Sequence, residues 1–208
     1  MTSINDNYMN DSADEKLAVY DAAYKKIGVK RRQDVHREGD RHYVMHCWVY
    51  IESKDALVIQ KRSLFKRFGG GQYDVSCAGH YSADEDFTAT RELLEELGIE
   101  VKYEQLEHIF DFEETFRYDG MVDREIARVH LLVWHDASFS PMITEEVESV
   151  LLVRRLDFIA LMMNQVSTIQ NIDSGETVMM NREAFVQRDP QYFERICVML
   201  TQLEPDKE

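Results

Sequence analysis

The alternation of apolar and polar side chains is clearest over residues 42–51, a run rich in aromatic and β-branched residues. It predicts a strand with His42, Val44, His46 and Trp48 on one face and Tyr43, Met45, Cys47 and Val49 on the other. Lys54-Asp55 make a turn, and residues 56–62 are the partner strand of a hairpin. Upstream, residues 17–21 form a short strand, residues 24–29 return through a turn region at Gly28, and residues 35–42 read as a loop. Downstream, residues 73–78 are a short strand and residues 99–103 start an extended segment. Residues 105–116 and 122–134 are two strands joined by the turn Tyr118-Asp119-Gly120. The apolar run 129–134 places the second of them centrally, and residues 145–153 add another strand.

The period changes to that of a helix in three places. Residues 91–99 read as the end of a helix, with Leu93, Leu94 and Leu97 as its apolar stripe and Gly98 at its stop. Residues 157–166 are helical, and residues 191–203 carry Phe193, Ile196, Cys197 and Leu200 at helical spacing. Strands outnumber helices, so the expected class is α/β, a mixed sheet with helices packed on it.

Composition narrows the partners. A chain of 208 residues with 44% hydrophobic residues can bury a sizeable core. A formal charge of −15 argues against a nucleic-acid polymer or an anionic membrane surface, but a small phosphorylated substrate stays open because a local cation can invert the field. Three scattered cysteines without a CxxC pair point to a reduced, cytoplasmic setting. No apolar run has the length of a membrane span, and the polar residues 1–14, read as disordered, do not resemble a signal peptide.

The candidate chemistry lies on the first helix. Glu92, Glu95 and Glu96 stand at i, i+3 and i+4 and project from one side. Arg91 can pair with Glu95, which leaves two like charges together. Such a face is either simply solvated or neutralised by a divalent cation, and Mg²⁺ prefers oxygen ligands of this kind. A second concentration of charge, Lys61, Arg62, Lys66 and Arg67 ahead of Gly69-Gly70-Gly71, is either a phosphate-binding loop or an ordinary solvated one.

Gly79, five residues, Glu85, and then Arg91-Glu92-Leu93-Leu94-Glu95-Glu96-Leu97-Gly98-Ile99 resemble the signature of the Nudix hydrolases. One departure is present: five residues separate Glu85 from Arg91, where the family has seven. Glu85 is therefore either a metal ligand or, with Ser82, half of a capping box. The resemblance implies an α/β/α sandwich over residues 15–163, with residues 164–208 as a C-terminal helical extension packed on the same domain. It implies Mg²⁺, with Mn²⁺ able to substitute, held by Glu92, Glu95, Glu96 and Glu85. Glu96, Glu95 and Glu92 are then the catalytic carboxylates, and Arg91 orients them. Gly79, with Lys61, Arg62, Lys66 and Arg67, would face the substrate, and Glu145, Glu146 and Glu148 are candidate general bases.

Other residues resemble the isopentenyl-diphosphate isomerase branch of that superfamily. His42, His80, Asp123 and Glu125 stand where that branch binds a second metal, and His36 lies one residue short of a further ligand position. The branch also has a catalytic cysteine before its Gly-His pair. Here that residue is Ala78, while Cys77 is read as a core residue. The expected activity is hydrolysis of a diphosphate linkage in a nucleoside-diphosphate-like small molecule. Isomerase activity and non-catalytic nucleotide binding are the alternatives. The methionines 162, 163, 179 and 180 are compatible with a homodimer surface as well as with a core.

Overall fold

The computed structural model describes residues 15–84, 90–136, 139–141 and 144–204. The expectations for residues 1–14 and for Glu85 lie outside the described residues. In chain order the elements are β1 (Lys16–Tyr20), β2 (Lys26–Arg31), α1 (Arg32–Glu38), β3 (Arg41–Ile51), β4 (Ala56–Arg62), β5 (Tyr73–Asp74), β6 (Cys77–His80) and α2 (Thr90–Leu97). They continue with β7 (Leu106–Tyr118), β8 (Met121–Trp134), β9 (Val147–Arg154), α3 (Arg155–Met162), β10 (Thr168–Gln170), β11 (Thr177–Met179) and α4 (Pro190–Thr201).

β3 is the strand on which the sheet is assembled. It runs parallel to β8 from Arg41↔Arg124 to Ile51↔Trp134. β6 and then β4 pair antiparallel with successive parts of it, at Val44↔His80 to Cys47↔Cys77 and at Tyr50↔Leu57. β9 joins β4, β7 joins β8, and the β1–β2 hairpin joins at Tyr20↔Arg41. The sheet is therefore mixed. Both faces of β3 are covered, which suits a run of buried apolar residues on alternating sides. Val44, Trp48 and Tyr50 pack in one cluster with Phe158 of α3 and Tyr192 and Phe193 of α4. Tyr43, Met45, Cys47 and Val49 pack in the other with Leu93 and Leu97 of α2. This is the α/β/α arrangement, and no described helix is long and apolar enough to cross a membrane.

α4 is fixed at both ends. Asp189 accepts a hydrogen bond from the Gln191 N–H at 2.9 Å, and Pro190 occupies the first turn. At the other end Arg155 donates to the Leu200 carbonyl at 3.0 Å while its Nε holds Asp55 at 2.6 Å.

Three stretches differ from the sequence expectation. Residues 26–31 form a strand, not a turn region. Gly28 lies opposite Val19 inside the ladder, and the outward Ile27 and Val29 blur the alternation because they are exposed. Residues 32–38 form a helix where a loop was expected. Its stop is Gly39, at φ 69°, a left-handed conformation that favours glycine, with the Asp40 N–H returning to the Val35 carbonyl. Residues 73–78 also divide, into β5 and β6.

Candidate active site and metal centre

Four elements bring three imidazoles and two carboxylates together. α1 supplies His36, β3 His42, β6 His80, and β8 Asp123 and Glu125. The strand register is responsible: His42 lies opposite Glu125, and His80 opposite Val44. One ring nitrogen from each of the three histidines falls within 4.8 Å of the others. His42 Nδ1 is 3.2 Å from the Asp40 carbonyl. A carbonyl only accepts, so Nδ1 carries the proton and Nε2 presents its lone pair inward. Asp123 Oδ1 stands 3.4 Å from that Nε2 and 3.7 Å from His36 Nε2. Among the described residues, His42 Nε2, His80 Nε2 and Asp123 Oδ1 are buried without a hydrogen bond. Burial pushes the His42 imidazole below its usual range, and burial with Arg32 and the neighbouring rings pushes His80 well below it. Burial and Asp123 together push the Glu125 carboxyl well up. Buried ring nitrogens and a carboxylate oxygen that face one another without hydrogen-bond partners are a donor set for a divalent cation.

The second acidic group is on α2. The Glu92 carboxyl lies directly over Gly79: a Cβ at that position would come within 2.1 Å of Glu92 Cδ. The glycine thus serves close approach of a carboxylate to the backbone. Burial pushes Glu92 up to about 8, against the pull of Arg91, so without a cation the site disfavours its ionised form. A bound cation reverses that preference. Arg91 bonds Glu92 at 2.9 Å and Glu95 at 2.6 Å and so sets both carboxylates. Glu96 is only 2% exposed, and its Oε2 accepts from the Ala78 N–H at 3.2 Å and from Gln60 Nε2 at 3.1 Å.

A cavity of about 610 Å³ joins the two acidic groups. His80 and Glu125 line it on one side, Glu92 and Glu95 on another, and Arg62 and Lys66 add positive charge. Phe68 and Phe116 form an aromatic part of the wall, with ring centroids 4.8 Å apart.

The chain matches the NUDIX domain over residues 40–168. It belongs to the Nudix family. It is 39% identical over 125 residues to Nudix hydrolase 3 of Arabidopsis thaliana, a match that covers 58% of this chain and 16% of that protein. It is 28% identical over 139 residues to an isopentenyl-diphosphate Delta-isomerase of Burkholderia multivorans, covering 59% of this chain and 78% of the isomerase. The chain thus spans less than a fifth of the Arabidopsis protein. Among solved structures, DR0079 of Deinococcus radiodurans superposes with a TM-score of 0.55 at 17% identity, covering 90% of this chain and 98% of that one. That likeness is one of fold. Nudix membership and the likeness to the isomerase branch are therefore both established.

The cavity takes in eight of the expected residues and leaves out Glu96, His42, Asp123, Lys61 and Arg67. Glu92, Glu95, Arg91, Gly79, Arg62, Lys66, His80 and Glu125 line it. Lys61 does not, because neighbouring residues of a strand face opposite ways, and it pairs with Glu148 at 2.7 Å. Arg67 is exposed and outside the lining. Of the three candidate bases, Glu145 and Glu146 line the cavity, and Glu146 is paired with Lys66.

Arg188, which follows β11 and precedes α4, is a site residue that the sequence did not reveal. It lines the cavity and donates to Asp74 at 2.9 Å and to Glu114 at 2.7 Å. Asp74 also takes Arg62 at 3.0 Å. Burial pushes Asp74 up, but the two guanidinium groups outweigh it and hold its carboxyl at about 2. Glu114 shares only one of them, and burial pushes it up.

Proposed function

We propose that this Nudix protein is a divalent-metal-dependent hydrolase that cleaves a diphosphate linkage in a nucleoside-diphosphate-like molecule, with Mg²⁺ as the cation and Mn²⁺ able to replace it. The observation that carries the reading is Glu92. Its carboxyl is buried over Gly79 and opens into the cavity that also receives Arg62 and Lys66. A carboxylate that burial drives toward its protonated form, beside basic groups fit for phosphate oxygens, has the chemistry for a cation–diphosphate complex.

In this reading Glu92 and Glu95 hold the cation, and Glu96 completes the acidic face of α2. His36, His42, His80, Asp123 and Glu125 hold a second one. When bound, the cations neutralise the diphosphate and acidify a water. Arg91 keeps the α2 carboxylates in place through its two hydrogen bonds. Arg62 and Lys66 draw the phosphate oxygens to the cavity. Glu145 or Glu146 takes the proton of the attacking water, since both lie on the lining.

The histidine cluster favours a second reading, isomerisation of an isopentenyl-type diphosphate. Ala78 stands against it. The methyl group at that position cannot move a proton, and Cys77 is fully buried with its thiol pushed well up by burial and by Glu96.

A diphosphate panel with Mg²⁺ or Mn²⁺ separates the two. Release of a monophosphate from nucleotide sugars or dinucleoside polyphosphates is expected. Double-bond migration in isopentenyl diphosphate without phosphate release, read by NMR, would reverse the ranking. The metal centre has its own test by thermal denaturation. Mn²⁺ at a hundredfold its Kd should add about 2.7 kcal/mol of stability. His80→Ala should weaken metal affinity by at least about tenfold, and an unchanged metal-induced shift in that variant would exclude the histidine centre.

A further inference from the structure

One imidazole at the cavity is used by neither metal centre. His46 shares a face of β3 with His42 and Val44, lines the cavity and is buried. Its register partner on β6 is Ala78. Directly paired residues of antiparallel strands project to the same side, so the imidazole and the Ala78 methyl are neighbours.

Its hydrogen bonds determine which nitrogen carries the proton. His46 Nδ1 is 3.0 Å from the Tyr192 hydroxyl, and Trp48 Nε1 is 3.2 Å from the same oxygen. Tyr192 is fully buried. An indole N–H only donates, so the hydroxyl oxygen accepts from Trp48. The hydroxyl has one proton, and His46 Nδ1 is its acceptor among the described residues. With the proton on Nδ1, the hydroxyl would have to accept twice, and its own hydrogen would be buried unpaired. The network therefore makes Nδ1 the acceptor and leaves the proton on Nε2. Burial, with Arg188 and Arg62 nearby, holds the ring neutral, and Asp74 only partly opposes them. Among the described residues Nε2 has no hydrogen-bond partner. The result is one fixed N–H donor at the cavity, beside a methyl group and within the lining that holds Glu92.

We infer that His46 is a specificity-determining residue whose Nε2–H donates to an oxygen on the organic group of the substrate, so that diphosphates of hydroxylated groups, such as sugars and nucleosides, are selected over alkyl diphosphates. The inference rests on the hydrolase reading above. Its physical basis is asymmetric. An oxygen acceptor completes the donor, whereas a hydrocarbon strips its water and offers nothing in return.

Two measurements test it. Histidine ¹⁵N NMR of the wild-type protein reads the tautomer without any turnover: Nε2–H is expected, with Tyr192→Phe releasing a mixture, and Nδ1–H in the wild type overturns the inference. Kinetics with ADP-ribose and geranyl diphosphate read the selection. The ratio of kcat/KM for the two should fall by at least about tenfold in His46→Phe and return toward wild type in His46→Gln, which keeps an N–H donor. An unchanged ratio in His46→Phe overturns the inference while leaving the hydrolase reading intact. If the wild type turns over neither probe, the diphosphate panel decides the hydrolase reading, and the same tenfold criterion applied to the dissociation constants of the two probes decides the role of His46.

Discussion

Arg188→Met is expected to destabilise the protein by about 3–5 kcal/mol, the usual cost of stranding buried charge. For a chain of this size that is roughly 6–20 °C in Tm. The side chain is 4% exposed, and its partners Asp74 and Glu114 are 3% and 2% exposed. Water cannot replace the guanidinium at such a site without opening it. Methionine keeps much of the volume, and the loss reports the unpaired carboxylates more than a cavity. The acid limb should respond too. Asp74 is held at about 2, below its ordinary 3.8, so its pairing contributes fully above pH 4 and is lost as pH falls toward 2. Removing Arg188 raises the folded-state value, and this part of the acid stability should shrink. Thermal denaturation at pH 7 and pH 3 checks both statements. A Tm within about 2 °C of wild type at pH 7 would mean that the ion cluster contributes nothing.

Arg188 also shows what a linear reading could not reach. It lies 114 residues from Asp74 and 74 from Glu114, and pairs so distant leave no local pattern. β3 was legible because every second residue faces one of two covered sides, and α2 because its apolar stripe ends at a glycine. α1 was missed although Gly39 marks its end. Only Val35 and His36 of its seven residues are buried, too few to set a period. His36 consequently read as one residue short of a ligand position, whereas the helix turns it toward His42 and His80. The basic loop was half legible. Its charge is evident from composition, but which side chains reach the cavity depends on strand direction, and that separates Arg62 from Lys61.

Glu92→Gln should lower metal-dependent kcat by at least about a hundredfold. Loss of a residue that only supports a metal ligand costs about 10–100-fold, and a direct ligand should cost no less. The substitution keeps the shape over Gly79 and removes only the charge, so Tm without metal should hold or rise: burial already disfavours the ionised form. Gly79→Ala reaches the same end by displacement, because its methyl would meet Glu92 Cδ at 2.1 Å while the charge is retained. Glu96→Gln should also abolish most turnover, since the amide oxygen can still accept from Ala78 and Gln60 but the negative charge is gone. Glu95 is 54% exposed and paired with Arg91, so Glu95→Gln should be the mildest of the four. The order of loss carries the argument, because it follows burial and proximity to Gly79 rather than charge alone. Initial rates across a Mg²⁺ titration separate weakened metal binding, which excess metal rescues, from lost chemistry, which it does not. Wild-type rates in Glu92→Gln at every Mg²⁺ concentration, limiting as well as saturating, would remove Glu92 from the reaction.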